Sequence, residues 1–479
     1  MFKNISKSNY SWLGIQEVFL FIINYSLVII LAKLLNPQIF GTVAILNLYT
    51  GVFAVISSLG LDKLIIKNQI RNNTKLSALL VGILLVSTAV FIIAIIILPL
   101  YLNSYFDSSI SLFNYGLLSL LSIFTSGLYN FSTSLYIRDK RFVEMAKILI
   151  CTYSVSFIII MGIAYNDRSI FSLLIKQIII AVLPIMTLLY FSKFKFKLVF
   201  SKQILLDFFS FSKFITINNV FNYFVRNIDY FIIGKFFSPE VVGQYSIAYK
   251  IIVTPVKMIV KQVDQISFVT IAKMTDNKMK LRQYYINNIR LIAQTVFPII
   301  VSIIFFSDII VNLFFDSRYK DLSAIISILS ICALFQSVTA LVGNMYIIAN
   351  NTKVMFKVTV VLFVVQSLIL LLGANSNNIF LFSWSYVCAY IFANFPISNY
   401  FALRPFNISI IDILKTMLYP AIISILVLGS ISLGVNKFNF NIGVNIVVVV
   451  AGVLLVYCIV NKKIQNFLGL KYVWNSRDI

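Results

Sequence analysis

A predicted membrane helix in the middle of the chain carries polar side chains at helical spacing. Asn218, Asn222, Arg226 and Asp229 fall within about 80° of one another, because an α-helix turns about 100° per residue. Arg226 and Asp229 are three residues apart and can form an ion pair. A charge in the hydrocarbon core costs at least a few kcal/mol and usually faces a cavity or a partner. The stripe therefore predicts a cavity wall, with a structural ion pair as the alternative.

The next predicted helix carries a second stripe, in which steps of three and four residues again keep the side chains on one face. The stripe consists of Lys250, Thr254, Lys257, Lys261 and Asp264. Lys257 and Lys261 lie near the predicted inner interface, where a long side chain can extend to the headgroups. Lys250 lies about ten residues from either interface of a span of roughly 20 residues. We therefore predict that Lys250 lines the cavity.

Three further positions could contribute polar groups to the membrane interior. Glu17 and Asn24 are seven residues apart, on one face of the first predicted helix, and are candidates for ion coupling or gating. The alternative for Glu17 is a partner role for Lys7 or a neighbouring loop. Lys176, next to Gln177, is a candidate cavity cation or a structural one.

Cations outnumber acids among these positions. The cations are Arg226, Lys250 and Lys176, and the acid is Asp229. Arg offers a planar fork of donors and Lys a point charge, so several cations together match a diphosphate group. Such an interior suits an anionic substrate and would repel cationic drugs.

Other kinds of chemistry lack their residues. The chain has no histidine, which excludes His-based acid–base catalysis, His-containing triads and most zinc sites. The four cysteines lie far apart in apolar stretches and indicate neither a metal site nor a disulfide framework. No long extramembrane segment carries paired carboxylates or a phosphate-binding glycine loop. The sequence therefore predicts neither an enzyme nor a cofactor, and no nucleic-acid partner.

The elements that position these residues follow from composition. The 479 residues are 60% hydrophobic and 11% charged, whereas soluble domains are about 45–50% apolar and about 25% charged. We predict an all-α integral membrane protein. A span needs roughly 20 apolar residues. Read on that basis, the apolar runs predict about fourteen spans, at 12–35, 40–60, 76–102, 111–137, 145–165, 169–191, 207–233, 240–262, 285–306, 323–349, 355–373, 378–402, 410–434 and 440–460.

The distribution of charge orients these spans. The formal net charge is +23, from 39 Lys and Arg against 16 Asp and Glu. Most of the cations fall in alternate loops, on the side that also holds both termini. Cytoplasmic loops collect Lys and Arg, so we predict cytoplasmic termini. The loops of the other side hold only Arg168, Lys235, Arg318, Lys320 and Lys437.

A repeated motif indicates an internal duplication. Lys33–Gly41 and Lys235–Gly243 both read K-[LF]-[LF]-x-P-x-[IV]-x-G, and each joins an odd-numbered span to the next on the predicted outer face. Six spans separate the copies, so both enter the membrane in the same direction, as in transporters built of two parallel halves. The predicted organisation is a six-helix lobe at 1–192, a basic cytoplasmic linker at 193–206, a second six-helix lobe at 207–403, and a final helix pair with a tail at 404–479.

The motifs resemble a known family. The run Leu34-Leu35-Asn36-Pro37, followed by Phe40-Gly41 and Leu59-Gly60-Leu61, is similar to the N-terminal signature of polysaccharide transporters. So is the stretch from Arg226-Asn227-Ile228-Asp229 to Tyr249-Lys250 in the second lobe. The resemblance is to the Wzx-type lipopolysaccharide and O-antigen flippases, within the multidrug/oligosaccharidyl-lipid/polysaccharide exporter superfamily, and it covers essentially the whole chain.

The resemblance implies a bacterial inner-membrane flippase for an undecaprenyl-diphosphate-linked oligosaccharide, with a cationic cavity formed here by Arg226, Asp229, Lys250 and Lys176. It also implies coupling to an H⁺ or Na⁺ gradient, and a polysaccharide polymerase and chain-length regulator as partners. The alternative is a small-molecule or multidrug antiporter of the same superfamily, which would need intramembrane acids in excess of cations. The sequence specifies neither the sugar nor the coupling ion.

Overall fold

Long apolar runs form long helices throughout the computed structural model of the protein. The structure describes residues 7–60, 64–66, 69–106, 110–272, 274, 277–438 and 442–468, and none of these residues lies in a strand. A helix satisfies its backbone N–H and C=O groups within one segment, which the hydrocarbon core requires. The predicted all-α integral membrane fold is confirmed.

The helices of the first half of the chain follow one another closely, and all except the 11-residue α4 are long. In chain order they are α1 (Lys7–Leu34), α2 (Pro37–Ser58), α3 (Asn73–Tyr105), α4 (Ile110–Leu120), α5 (Ser122–Arg138), α6 (Phe142–Asn166), α7 (Ile170–Phe191), α8 (Lys202–Phe236) and α9 (Pro239–Ala272).

Two of the predicted spans in the second half are interrupted helices. The helices there are α10 (Lys278–Phe305), α11 (Ser307–Phe314), α12 (Leu322–Thr339), α13 (Val342–Ile348), α14 (Thr352–Ala374), α15 (Ile379–Ala389), α16 (Phe395–Leu403), α17 (Ile410–Phe438) and α18 (Ile442–Leu468). A π-helical turn, Tyr390–Asn394, joins α15 to α16. The break between α12 and α13 falls within the predicted span 323–349.

The predicted spans all coincide with one of these helices or with consecutive ones. Within the described ranges, eleven helical segments are long and apolar enough to cross a membrane. Of the other predicted spans, α18 has only a short apolar stretch, Val447–Tyr457. The remaining two, α8 and α9, carry the polar stripes, which lower their mean hydropathy. The protein is a multi-pass membrane protein, and the count of fourteen spans stays a prediction.

The surface of the spans is apolar, as contact with lipid requires. Large side chains such as Ile96 (69% exposed), Ile158 (70%) and Leu372 (73%) stand outward on their helices. An exposed apolar surface of this extent would drive a soluble protein to aggregate. In a bilayer it lies against the acyl chains.

The first compact unit, Met1–Ser246, is built around α2. Helix α2 packs on α3, α5, α7 and α8, and α1 packs on α6. Tyr49 of α2 stacks on Tyr101 of α3, with ring centroids 4.6 Å apart. Because α8 also packs on α2 and α3, the compact unit includes α8. The predicted lobe boundary at 193–206 stays a prediction about the internal repeat.

The second compact unit, Ile247–Ile479, is built around α10. Helix α10 packs on α12, α17 and α18, and its buried residues include Val301. Leu428 of α17 and Val456 of α18 join Val301 in one apolar cluster. The final helix pair is thus packed directly on the centre of this unit.

Candidate functional site

The polar stripe predicted from the sequence lies on α8, and its side chains differ in exposure along the helix. Asn218 and Arg226 are exposed, and Asn222 is half-buried. The Asn222 side-chain amide donates to the Asn218 carbonyl over 2.9 Å, one helical turn earlier. Asp229 is only 2% exposed. The four side chains therefore do not form one uniform surface, although they share a helix face.

Asp229 takes its hydrogen bond from the beginning of the next helix. Its Oδ2 accepts from the Tyr245 hydroxyl over 2.9 Å. The Tyr245 ring also meets Tyr230 edge to face, with centroids 5.4 Å apart. Sequence reasoning overlooked Tyr245, since sixteen residues and a turn separate it from Asp229. Together these contacts fix the end of α8 against the start of α9.

Arg226 does not use Asp229 as its counter-ion. Within the described part of the chain, no ion pair joins these two residues, and no hydrogen bond of the Arg226 side chain is found. The exposed guanidinium therefore keeps its donors for another partner. The i, i+3 spacing made the pair sterically possible, but the inward rotamer of Asp229 directs the carboxylate to Tyr245.

Lys250 belongs to the part of α9 that lies in the second unit. The Lys250 side chain is exposed, whereas the next two residues of the helix, Ile251 and Ile252, are buried. The Thr254 hydroxyl donates to the Lys250 carbonyl over 2.5 Å. The following residue, Pro255, has no N–H to offer the carbonyl of Ile251. The lysine thus lies just before a weakened point in the helix, which sequence reasoning had not singled out.

The rest of the α9 stripe continues the same face. Lys257 and Lys261 are exposed, and Asp264 is half-buried. The Asp264 carboxylate accepts from the side-chain amide of Asn344 on α13. In the first unit, Lys176 is half-buried in the first third of α7.

A polar cluster surrounds the first predicted acid. Glu17 is half-buried on α1, close enough to Tyr129 and Tyr153 to interact with them electrostatically. The adjacent Gln16 is 6% exposed, and its Oε1 has no hydrogen-bond partner among the described residues. The Asn24 amide donates to the Leu20 carbonyl over 2.8 Å. Glu17 therefore lies near other polar side chains of the unit, whereas Asn24 satisfies its donor within its own helix.

The two copies of the repeated motif touch each other. A Cβ on Gly41 would lie 1.6 Å from the carbonyl oxygen of Pro239, and one on Gly243 would lie 1.9 Å from that of Pro37. The contact is reciprocal, with each glycine facing the proline carbonyl of the other copy. Only glycine permits two helix starts to approach so closely. The repeat predicted equivalent positions, and the structure adds that these positions meet.

The site chemistry is that of binding by side chains. Within the described ranges, no group of three His, Cys, Asp or Glu residues could hold a metal ion. The exposed polar groups are cations and amides, which donate hydrogen bonds and match anionic or hydroxyl-rich ligands.

Comparison with known proteins places this geometry in context. A family model described as "Polysaccharide biosynthesis protein" matches residues 30–324, more than half of the chain. The teichuronic acid biosynthesis protein TuaB of Bacillus subtilis (strain 168) is 23% identical over 263 residues, 54% of each chain. The lipopolysaccharide biosynthesis protein WzxC of Escherichia coli (strain K12) is 22% identical over 150 residues, 31% of this chain and 30% of WzxC. The matches thus span about half and under a third of these relatives.

The same fold occurs in a solved structure. The inward closed conformation of the lipid II flippase MurJ matches with a TM-score of 0.74 at 16% sequence identity. The match covers 97% of this chain and 100% of the MurJ chain. At this identity the likeness concerns the fold alone.

Proposed function

The chain belongs to the polysaccharide biosynthesis protein family, and on that premise we propose that it is a transporter of the Wzx flippase type, with the following substrate and direction. The substrate is an undecaprenyl-diphosphate-linked oligosaccharide, the repeat unit of an O-antigen or another surface polysaccharide. The protein moves it from the cytoplasmic to the periplasmic face of the bacterial inner membrane.

One observation carries the proposal. Arg226 and Lys250 are exposed on α8 and α9, two of the predicted spans, while the nearby acid of the sequence, Asp229, is buried against Tyr245. The cations are thus not neutralised by the acid that sequence spacing offered them. Unneutralised cations at membrane depth are costly unless an anion joins them during function. A lipid-linked diphosphate supplies such an anion.

The proposed roles of the site residues differ. Arg226 and Lys250 bind the diphosphate, and Lys176 adds a further cation. The amides of Asn218 and Asn222 hydrogen-bond to sugar hydroxyls or phosphate oxygens. Asp229 acts indirectly, since its bond to Tyr245 positions the two helices that carry the cations.

Coupling to an H⁺ or Na⁺ gradient is assigned to the cluster around Glu17. A half-buried carboxylate beside a tyrosine pair can take up a cation. The Oε1 of Gln16, which has no hydrogen-bond partner among the described residues, is a further oxygen ligand next to it in sequence. Asn24, seven residues further along α1 on the same face, is assigned to gating, and its amide donor is bonded to the Leu20 carbonyl.

The transport cycle is alternating access by the two halves of the internal duplication. Both termini are cytoplasmic in this scheme, as the charge distribution predicts. A polysaccharide polymerase and a chain-length regulator use the product on the periplasmic side. The protein acts as a carrier and makes no covalent change to its substrate.

Deletion of the encoding gene tests the proposal. The lipid-linked repeat unit should accumulate on the cytoplasmic face. Glycan-modifying enzymes that are added to the periplasmic side cannot reach it there. Unchanged surface polysaccharide together with raised sensitivity to several drugs would instead support the multidrug antiporter alternative.

A further inference from the structure

A pocket of about 600 Å³ lies between helices α10 and α17 of the second unit. Its charged lining comes from Arg282 and Arg290 on α10 and from Asp412 and Lys415 on α17. Arg282 and Arg290 are eight residues apart, so they lie on one face of α10, separated by about 12 Å along the axis. The pocket is therefore an elongated one with cations along its length.

The single carboxylate of this lining already has structural partners. Oδ2 of Asp412 accepts from Nη2 of Arg282 over 2.8 Å. It also accepts from the Ser409 amide over 3.1 Å, while the Ser409 hydroxyl accepts from the Ile411 amide. This reciprocal arrangement is a capping box at the start of α17. With three cations and one committed carboxylate, the pocket has a positive formal charge.

Exposed apolar side chains continue along α17 beyond the pocket. Leu418 and Ile422 are 53% and 51% exposed. Both α10 and α17 are candidate membrane spans. The positive end lies on the side that the charge distribution predicts to be cytoplasmic. A ligand that fits this surface has an anionic head and an apolar body.

We propose that this pocket binds the phosphate-bearing headgroup of an anionic phospholipid of the cytoplasmic leaflet, with its acyl chains along the exposed face of α17. Anionic headgroups attract basic residues at this leaflet, at about 1 kcal/mol per Lys or Arg. A free phosphate would use the cations but leave the adjoining apolar surface without a role. The site is independent of the transported substrate, and its occupant would stabilise the packing of α17 on α10.

Native mass spectrometry of the purified full-length protein in detergent tests the site. The probes are phosphatidylglycerol and the zwitterionic phosphatidylcholine, with inorganic phosphate as competitor. We expect phosphatidylglycerol to bind preferentially to the wild-type protein. Lys415→Gln and Arg290→Gln should each weaken that binding about fivefold, the equivalent of about 1 kcal/mol per cation.

Two further variants define the outcome. Lys415→Arg keeps the charge and should retain binding, and Arg318→Gln, an exposed cation paired with Asp316 elsewhere in this unit, should leave it unchanged. Equal binding of the two lipids by the wild-type protein would overturn the proposal without recourse to any variant. Displacement of the lipid by millimolar inorganic phosphate would also overturn it, because a free anion would then be the ligand.

Discussion

Gly41 lies so close to Pro239 that a Cβ on the glycine would stand 1.6 Å from the proline carbonyl oxygen. Gly243 and Pro37 stand in the same relation, at 1.9 Å. The obstructing atoms are backbone, so no side-chain movement can relieve the clash. The repeated motif that indicated a duplication is therefore also the place where its two copies pack together.

Replacing Gly41 with alanine should separate α2 from the start of α9. Overpacking in a well-packed site typically costs about 1–3 kcal/mol, and a backbone obstruction places this variant at the upper end. Thermal melting of the purified protein measures the loss. The matched control is Gly162→Ala on α6, where a Cβ would meet nothing within 4 Å. There the higher helix propensity of alanine should leave stability equal or slightly raised. Equal melting temperatures for the two variants would show that the close contact has no energetic weight.

Removal of either exposed cation should abolish transport. Arg226→Ala and Lys250→Ala each take away a charge that we assign to diphosphate binding, and charge-assisted contacts are about twice as strong as neutral ones. We expect loss of surface polysaccharide in a complemented deletion strain, at unchanged membrane levels of the protein. Arg318→Ala is the control, since this arginine is paired with Asp316 at the surface. Normal polysaccharide in both cavity variants would refute the site assignment.

Tyr245→Phe should destabilise the protein more than Asp229→Asn does. The phenylalanine leaves a buried carboxylate without the hydroxyl donor seen at 2.9 Å, and an unsatisfied buried polar group costs about 1–3 kcal/mol. Asparagine keeps an oxygen that can accept from Tyr245. A double-mutant cycle with thermal melting as readout measures the coupling. If the two substitutions act additively, the hydroxyl and the carboxylate do not depend on each other.

The turn between α5 and α6 should respond to acid through Asp139. Hydrogen bonds from Arg138, at 2.9 and 2.7 Å, lower the pKa of the Asp139 carboxyl below its usual value of 3.8. Because the folded-state pKa is the lower one, the stabilisation is present above the unfolded pKa and disappears as pH falls through the folded value. Asp139→Asn should therefore cost at most about 1 kcal/mol at pH 7, as expected for a partly exposed pair. The difference from wild type should vanish below the lowered pKa, as followed by melting curves across pH. A constant difference at all pH values would assign the effect to something other than this charge.

Much of the fold could be read from the chain. Apolar runs of about 20 residues predicted the positions of the helices, because the bilayer sets both the length and the hydrogen bonding of a span. The break between α12 and α13 and the π-helical turn after α15 were not predicted, since each lies inside a segment that is apolar enough on average to be one continuous span. Hydropathy indicates that a segment lies in the membrane, but it does not indicate whether the helix is continuous.

The candidate site was predicted residue by residue but not as an arrangement. Periodicity placed Arg226 and Asp229 on one face, and it could not tell that one side chain is exposed and the other buried. Rotamers depend on the neighbouring helix, and the partner of Asp229 comes from α9. In the same way, Arg282 and Asp412 are 130 positions apart and form their ion pair only because α10 and α17 pack together.

The sequence by itself determined the class of the protein and the approximate positions of its long helices, and it predicted the duplication and an excess of cations within the membrane. These properties depend on composition and on spacing along one helix, which the bilayer and the helical repeat translate directly into structure. The tertiary structure decided which polar side chains are exposed and which are buried. It also decided that the two motif copies meet through their glycines and that a basic pocket forms between α10 and α17. Those outcomes depend on contacts between helices distant in sequence, where steric fit rather than local pattern selects the partner.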